Sequence, residues 1–308
     1  MKILLTGGSG LLGTSLQRVA KAQFPDHTIL APSRSELPLH DANAVSALLK
    51  DTGCDAVIHC AAKVGGIQAN IAAPVDFLCQ SLRMNDGVIM GALDAGVPRL
   101  IFFGSSSMYP REYPQPLKED ALLAAPLDPA NEGYALAKIM GAKLCEFISR
   151  TTDYSYKTLV PCNLFGLEDH FDAAVGHLIP AVITKMVGSQ RSGAKEVEVW
   201  GSGKARREFL FCDDLAPFVF DVLPKLDTLP PNLNVGYGDD FSILDYNQMI
   251  ADILDYDCSF VFNTSKPEGA ARKLLDSSLA HQFGWSPKLS IKESIELVIE
   301  SYLQKQAA

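Results

Sequence analysis

Tyr134 and Lys138 stand four positions apart in a stretch of helical apolar spacing, so their side chains share one face, one turn apart. A phenol beside an ammonium suits proton transfer to or from a carbonyl oxygen, because the cation lowers the phenol's pKa. A second group, Gly7-Gly8-Ser9-Gly10-Leu11-Leu12-Gly13, lies between the apolar run Ile3 to Thr6 and a helical pattern starting near Leu11. Its glycines 7, 10 and 13 follow the spacing G-x-x-G-x-x-G. Small residues there let a helix N-terminus approach a pyrophosphate, where backbone N–H groups and the helix dipole favour negative charge. A third group, Gly104-Ser105-Ser106-Ser107, follows the apolar run 100–103, at the end of a strand where open α/β sheets place their ligands. A serine hydroxyl there suits a hydrogen bond to a substrate oxygen. Together the three groups predict a nicotinamide-dependent enzyme acting on a ketone or an alcohol.

The elements that position these residues read as alternating strands and helices. Strand-like runs fall at residues 3–5, 28–30, 56–58, 100–103 and 157–160, and helical patterns at 11–24, 42–50, 70–95 and 134–150. Such alternation predicts an α/β fold, a Rossmann-type doubly wound parallel sheet with helices on both faces. Residues 109–129 hold five prolines (110, 114, 116, 126, 129) and read as a long surface loop, a length more often functional than idle. After Pro161 the alternation fades, with short strands at 197–200 and 209–211, which predicts a smaller α/β substrate-binding lobe. The expected division is a cofactor domain over 1–162, to which the chain returns near 213–238, and a mainly substrate-binding lobe over 163–308.

A net charge of −9 leaves no basic footprint, so nucleic acid and anionic membranes are not expected partners. No apolar run approaches the ~20 residues of a membrane span and the N-terminus lacks a signal-peptide core, so a cytoplasmic location is expected. The cysteines (54, 60, 79, 145, 162, 212, 258) are odd in number and lack the paired spacing of a metal site. Cys54, Cys60 and Cys145, in apolar runs, are expected to pack as small hydrophobes. The end of the second strand decides the cofactor. An acidic residue there takes the ribose hydroxyls of NAD, whereas this chain has Ala31-Pro32-Ser33-Arg34-Ser35, and a guanidinium suits the 2′-phosphate of NADP. Ser9 adds a hydroxyl in the glycine turn. The competing arrangement has Arg34 solvated and Glu36 on the ribose; NADP is the favoured assignment.

The combination of glycine turn, strand-end serines and Tyr-x-x-x-Lys resembles the extended short-chain dehydrogenase/reductase family. Over nearly the whole chain it resembles the GDP-L-fucose synthase branch. Matching segments include residues 60–67 (Cys-Ala-Ala-Lys-Val-Gly-Gly-Ile), 104–110, 131–138, 143–146, 161–166, 177–180, 199–203, 207–210 and 265–269. The Lys-Val-Gly-Gly-Ile and Lys-Leu-Leu-Asp (273–276) segments are specific to that branch. The resemblance implies a GDP-linked 4-keto-6-deoxy sugar as substrate and NADPH/NADP+ as cofactor, held by Gly7, Ser9, Gly10, Leu11, Gly13, Arg34, Ala61, Ala62 and Lys138. It implies Ser105 and Tyr134 as the carbonyl-polarising pair and His177 as the epimerisation acid. Substrate contacts would come from Asn163, Lys185, Trp200, Arg207 and Lys273, the cations facing the diphosphate and sugar. The family often has arginine where this chain has Lys185. A homodimer formed by residues 70–95 and 134–150 is also implied.

One position departs from the family pattern: the family's epimerisation base is a cysteine, and this chain has Ser107. A thiol titrates near ~8.5 and is readily tuned toward neutrality, whereas an alcohol is a far weaker acid. Three explanations stand: an engineered Cys→Ser form, a natural C4 reductase of a related GDP-hexose or GDP-heptose, or epimerisation by His177 with another group. A non-catalytic NADP-binding regulator is the rival from another class, and the presence of Ser105, Tyr134 and Lys138 argues against it.

Overall fold

The computed structural model describes residues 1–173, 176–266 and 269–307. Its first part alternates β1 (Lys2–Thr6), α1 (Leu11–Gln23), β2 (Thr28–Leu30), α2 (Ala42–Thr52), β3 (Ala56–His59), α3 (Ile67–Ala72), α4 (Pro74–Asp94), β4 (Arg99–Phe103), α5 (Glu132–Thr151) and β5 (Ser155–Pro161). There follow β6 (Asn163–Phe165), α6 (Leu178–Ser192), β7 (Glu196–Trp200), β8 (Arg206–Arg207), β9 (Phe209–Phe211), α7 (Cys212–Val222) and β10 (Asn232–Val235). The chain continues through β11 (Phe241–Ser242), α8 (Ile243–Ile253), β12 (Ser259–Asn263), β13 (Arg272–Lys273), α9 (Ser278–Gln282) and α10 (Ile291–Ala307).

The central sheet has the order β10-β5-β4-β3-β1-β2, and every pair in it is parallel. Its inner strands are near-continuous apolar runs, as a sheet covered on both faces requires. One face buries Leu16, Val19, Leu215 and Val219 of α1 and α7, the other Val45, Val88, Ile89 and Ile139 of α2, α4 and α5. After α7 has packed beside α1, β10 pairs with β5 at one edge of the sheet. A third apolar cluster, with Phe165, Ile183, Phe209, Tyr246 and Ile295, organises the remaining helices and short strands.

Two expectations are corrected. The helical pattern over 70–95 is two helices, and it starts earlier, at Ile67. Pro74 has no N–H to continue α3, so it takes the first-turn position of α4, where that loss costs nothing. Residues 109–129 are not simply a surface loop: Tyr109, Leu117, Ala121 and Asp128 are buried. Tyr109 donates its hydroxyl to Asn234 Oδ1 at 2.6 Å, and Leu117 forms a bridge with Leu275. This segment therefore laces the end of β4 to β10 and to the strand that carries Lys273.

Candidate active site

The glycine turn leaves β1 with Gly7 in the left-handed region at φ +74°, and Gly10 N–H closes the turn on Gly7 O at 3.0 Å. Gly10 caps α1 without a side-chain acceptor, so the helix N-terminal amides are left to an outside anion. A Cβ on Gly13 would overlap the Gly7 carbonyl oxygen, and one on Gly7 would press on the Ala61 backbone. Ser9 is exposed at the rim, Leu11 opens α1, and Ala61 and Ala62 run past the turn after β3, Ala61 N lying 3.5 Å from Thr6 Oγ1. Arg34 is exposed beyond β2 with no hydrogen-bond or ionic partner among the described residues. Glu36, its competitor, folds back to accept Ser33 N–H at 2.7 Å, which lowers its pKa. The turn therefore leaves an open helix N-terminus beside the Ala61 backbone, and the Arg34 guanidinium stands exposed past the end of β2.

At the end of β4, Ser105 caps a single 3₁₀ turn over Ser106–Met108. Its Oγ accepts Ser107 N–H at 3.2 Å and the Ser107 hydroxyl at 2.9 Å. The Tyr134 hydroxyl, arriving on α5, comes within electrostatic reach of the Ser105 side chain. Burial pushes Tyr134 up to about 12, and the Ser105 side chain pulls in the opposite direction. Lys138 is 2 % exposed and donates to Phe103 O at 2.6 Å. Its Nζ lies 4.9 Å from the Phe102 ring centroid and 5.8 Å from that of Tyr134. Burial lowers Lys138 to about 8, opposed by the nearby Cys60 thiol.

Behind this pair runs a polar chain that sequence reasoning missed. Thr6 Oγ1 meets His59 Nδ1 at 2.7 Å, His59 Nε2 meets Asn85 Oδ1 at 3.1 Å, and Asn85 Nδ2 donates to Ala137 O at 2.9 Å. Burial drives His59 down to about 3, so the ring is neutral. Asn85 Oδ1 then accepts from Nε2–H, and Nδ1 accepts the threonine proton. The one sequence signal was a histidine closing an otherwise apolar strand.

The remaining predicted residues form two further groups. Arg207 and Lys273 are register partners across β8 and β13. Lys273 is lowered to about 8, first by burial and next by Arg207, while Asp128 opposes the shift. Asp128 also accepts Ala130 N–H at 3.1 Å, so the two cations lie against the entry to α5. Asn163 donates its side chain to Glu208 O at 2.8 Å. Lys185, on α6, lies with Trp200 instead: its Nζ donates to Glu198 O at 2.8 Å and is 5.7 Å from the indole centroid. Lys266 covers the same ring at 4.8 Å, and Glu198 Oε2 accepts the indole N–H at 2.9 Å. His177 is exposed at the N-cap of α6, within electrostatic reach of the half-buried Asp169. Of the segment 265–269 quoted above, Pro267 and Glu268 lie outside the described residues. Two buried carboxylates here were not foreseen. Glu208 is fully buried, and Asp240, also fully buried, holds Arg206 at 2.8 Å and Arg272 at 2.5 Å, tying β8 to β13. No cluster of metal-ligating side chains occurs among the described residues.

Residues 3–236 match the family model described as the NAD dependent epimerase/dehydratase family. The GDP-L-colitose synthase of Yersinia pseudotuberculosis is 43% identical, the alignment covering 99% of each chain. The GDP-L-fucose synthase of Azorhizobium caulinodans is 39% identical over 98% of this chain and 96% of that protein. Among solved structures, MlghC, a GDP-mannoheptose C4 reductase from Campylobacter jejuni with NADP bound, superposes with a TM-score of 0.88 at 30% identity, covering 98% of each chain.

Proposed function

The chain belongs to the NAD dependent epimerase/dehydratase family, and on that premise we propose that it is an NADP(H)-dependent enzyme of GDP-linked 4-keto-6-deoxy sugars. It inverts the sugar at C3 and C5 and reduces the ketone at C4, as in GDP-L-fucose synthesis. The observation that carries this reading is the Lys138 ammonium 5.8 Å from the Tyr134 ring centroid, with the Ser105 hydroxyl at the end of β4 interacting with the phenol. The cofactor, when bound in the glycine cradle, supplies the hydride for C4. Ser105 and Tyr134 polarise the ketone, which acidifies the hydrogens on C3 and C5. Tyr134 gives its proton to the C4 oxygen, and Lys138 lowers the cost of that transfer by its charge. His177 serves as the epimerisation acid. Arg207 and Lys273 face the diphosphate, while Lys185, Trp200 and Asn163 complete the substrate site.

Ser107 supports a second reading. Its proton is committed to Ser105 Oγ at 2.9 Å, and no basic side chain hydrogen-bonds it among the described residues, so it is poorly placed to abstract a proton from carbon. On that reading the enzyme is a C4 reductase with weak or no epimerisation. The division of the chain belongs to the same proposal, with residues 1–162 and 213–238 binding cofactor and the remainder mainly binding substrate. So do a cytoplasmic setting, where seven free thiols persist, and a homodimer through α4 and α5. The outer faces of those helices leave Val75 69 %, Met140 59 % and Phe147 47 % exposed.

Incubation with GDP-4-keto-6-deoxy-mannose in D₂O, with NADPH or NADH, tests both readings by NMR and mass spectrometry. Reduction with deuterium at C3 and C5 at the rate of turnover supports the first. A reduced product free of deuterium supports the second. No reduction of this ketone or of any GDP-linked 4-keto sugar overturns both.

A further inference from the structure

Three passages of the chain between the central sheet and the lobe meet at one buried residue, Glu208. It lies between β8, which carries Arg207, and β9. Its Oε1 accepts Gly238 N–H at 2.8 Å, and its Oε2 accepts Leu275 N–H at 3.0 Å. Gly238 follows β10, the last strand of the central sheet, and Leu275 follows Lys273 by two residues. The Glu208 carbonyl accepts both the backbone N–H of Asn163, at 3.3 Å, and its side-chain amide, at 2.8 Å. Asn163 opens β6 just past β5, and Cys162 N–H in turn reaches Val235 O at 3.3 Å. Gly236 is fitted to this carboxylate, because a Cβ there would overlap Oε1 and lie 2.9 Å from Oε2.

We propose that Glu208 is a positioning residue that sets Arg207, Lys273 and Asn163 against the cofactor-binding sheet, and so fixes where the nucleotide diphosphate of the substrate sits relative to Tyr134. The inference rests on the GDP-sugar reading above. It follows from the placement of the bonds. One carboxylate holds the strand end on the sheet side and the strand end on the cation side at once, and its own backbone is the residue next to Arg207. The glycine cradle, at the far end of β1, makes no contact with this junction in any bond above, so cofactor affinity is expected to stand apart from it.

Glu208→Gln keeps the shape and turns one acceptor oxygen into an N–H₂ group facing a backbone N–H. Gly236→Ala displaces the native carboxylate from the other side. GDP affinity of the NADP-loaded protein, measured by calorimetry, is compared with NADPH affinity and with the KM and kcat for the keto sugar. Each variant is expected to weaken GDP and raise the sugar KM at least tenfold, with kcat less affected and NADPH affinity within twofold. The double variant is expected to be no worse than the worse single one, because both act on one contact. If Glu208→Gln does not fold, Gly236→Ala carries the same criterion alone. Unchanged GDP affinity in a folded variant, or NADPH affinity lost in parallel with GDP, overturns the proposal. Failure of the unaltered protein to bind GDP overturns the GDP-sugar reading itself, and this inference with it.

Discussion

Lys138→Met removes a nearly fully buried charge, 4.9 Å from the Phe102 ring centroid, and keeps an unbranched apolar chain of similar length. In the native protein the ammonium lies 5.8 Å from the Tyr134 ring centroid, where at an effective dielectric of ~20 a unit charge stabilises the phenolate by about 3 kcal/mol. Loss of that term moves Tyr134 upward by about two pH units. With roughly half of the change felt during proton transfer, ketone reduction slows about tenfold from acidity alone. Lost support for the nicotinamide ribose adds to that. The native rate carries the same signature: Lys138 sits at about 8, so reduction falls as pH rises through that value and the charge disappears. The variant has no such limb. Stability moves the other way. A lysine lowered from 10.5 to about 8 is a burial cost that is fully present below pH 8 and fades as pH rises toward 10.5. Met therefore stabilises the fold by up to roughly 3 kcal/mol at pH 7, and by little at pH 10.5. NADPH oxidation followed by absorbance across pH 6 to 10, beside urea unfolding at both ends, measures both effects. A variant within twofold of native kcat, or one that keeps the fall near pH 8, refutes the assignment of that charge to Tyr134.

Ser107→Cys places a titratable thiol at the position of the family's base, and deuterium incorporation at C3 and C5 is expected to rise about 10²-fold with C4 reduction little changed. Arg34→Ala removes the unpaired cation after β2 and lowers the preference for NADPH over NADH, read as a ratio of kcat/KM, by about 10- to 100-fold. Asp240→Asn leaves Arg206 and Arg272 without the fully buried carboxylate between them, and urea unfolding is expected to show a loss of about 2–3 kcal/mol.

The N-terminal half was legible because its signals are local. The apolar runs, the glycine turn and the Tyr–Lys step each depend on neighbours within one element, and the central strands fall where the runs do. Where the reading missed, the deciding contact is remote in sequence. Tyr109 is buried because it bonds Asn234, 125 residues on, and no pattern within 109–129 announces that. Glu208 and Asp240 look like ordinary charges in a polar stretch, and only the folded chain brings backbone amides to one and two guanidinium groups to the other. The break before α4 is different in kind: Pro74 was in plain view, and helical spacing on both sides of it concealed a stop that the missing N–H dictates.

The chain Thr6–His59–Asn85–Ala137 has a consequence for recombining this protein with its relatives. Thr6 is the last residue before the glycine turn, and Ala137 is the residue before Lys138. The glycine turn and the helix of Tyr134 and Lys138 are therefore joined through a neutral, fully buried imidazole. A chimaera whose crossover separates residue 6 from residue 59, or residue 85 from residue 137, brings together halves that never fitted one another. Unless both sides supply matching donors and acceptors, a buried polar atom is left unsatisfied. Productive crossover points thus lie beyond α5, and glycine turn, imidazole and the helix of Tyr134 are inherited as one block.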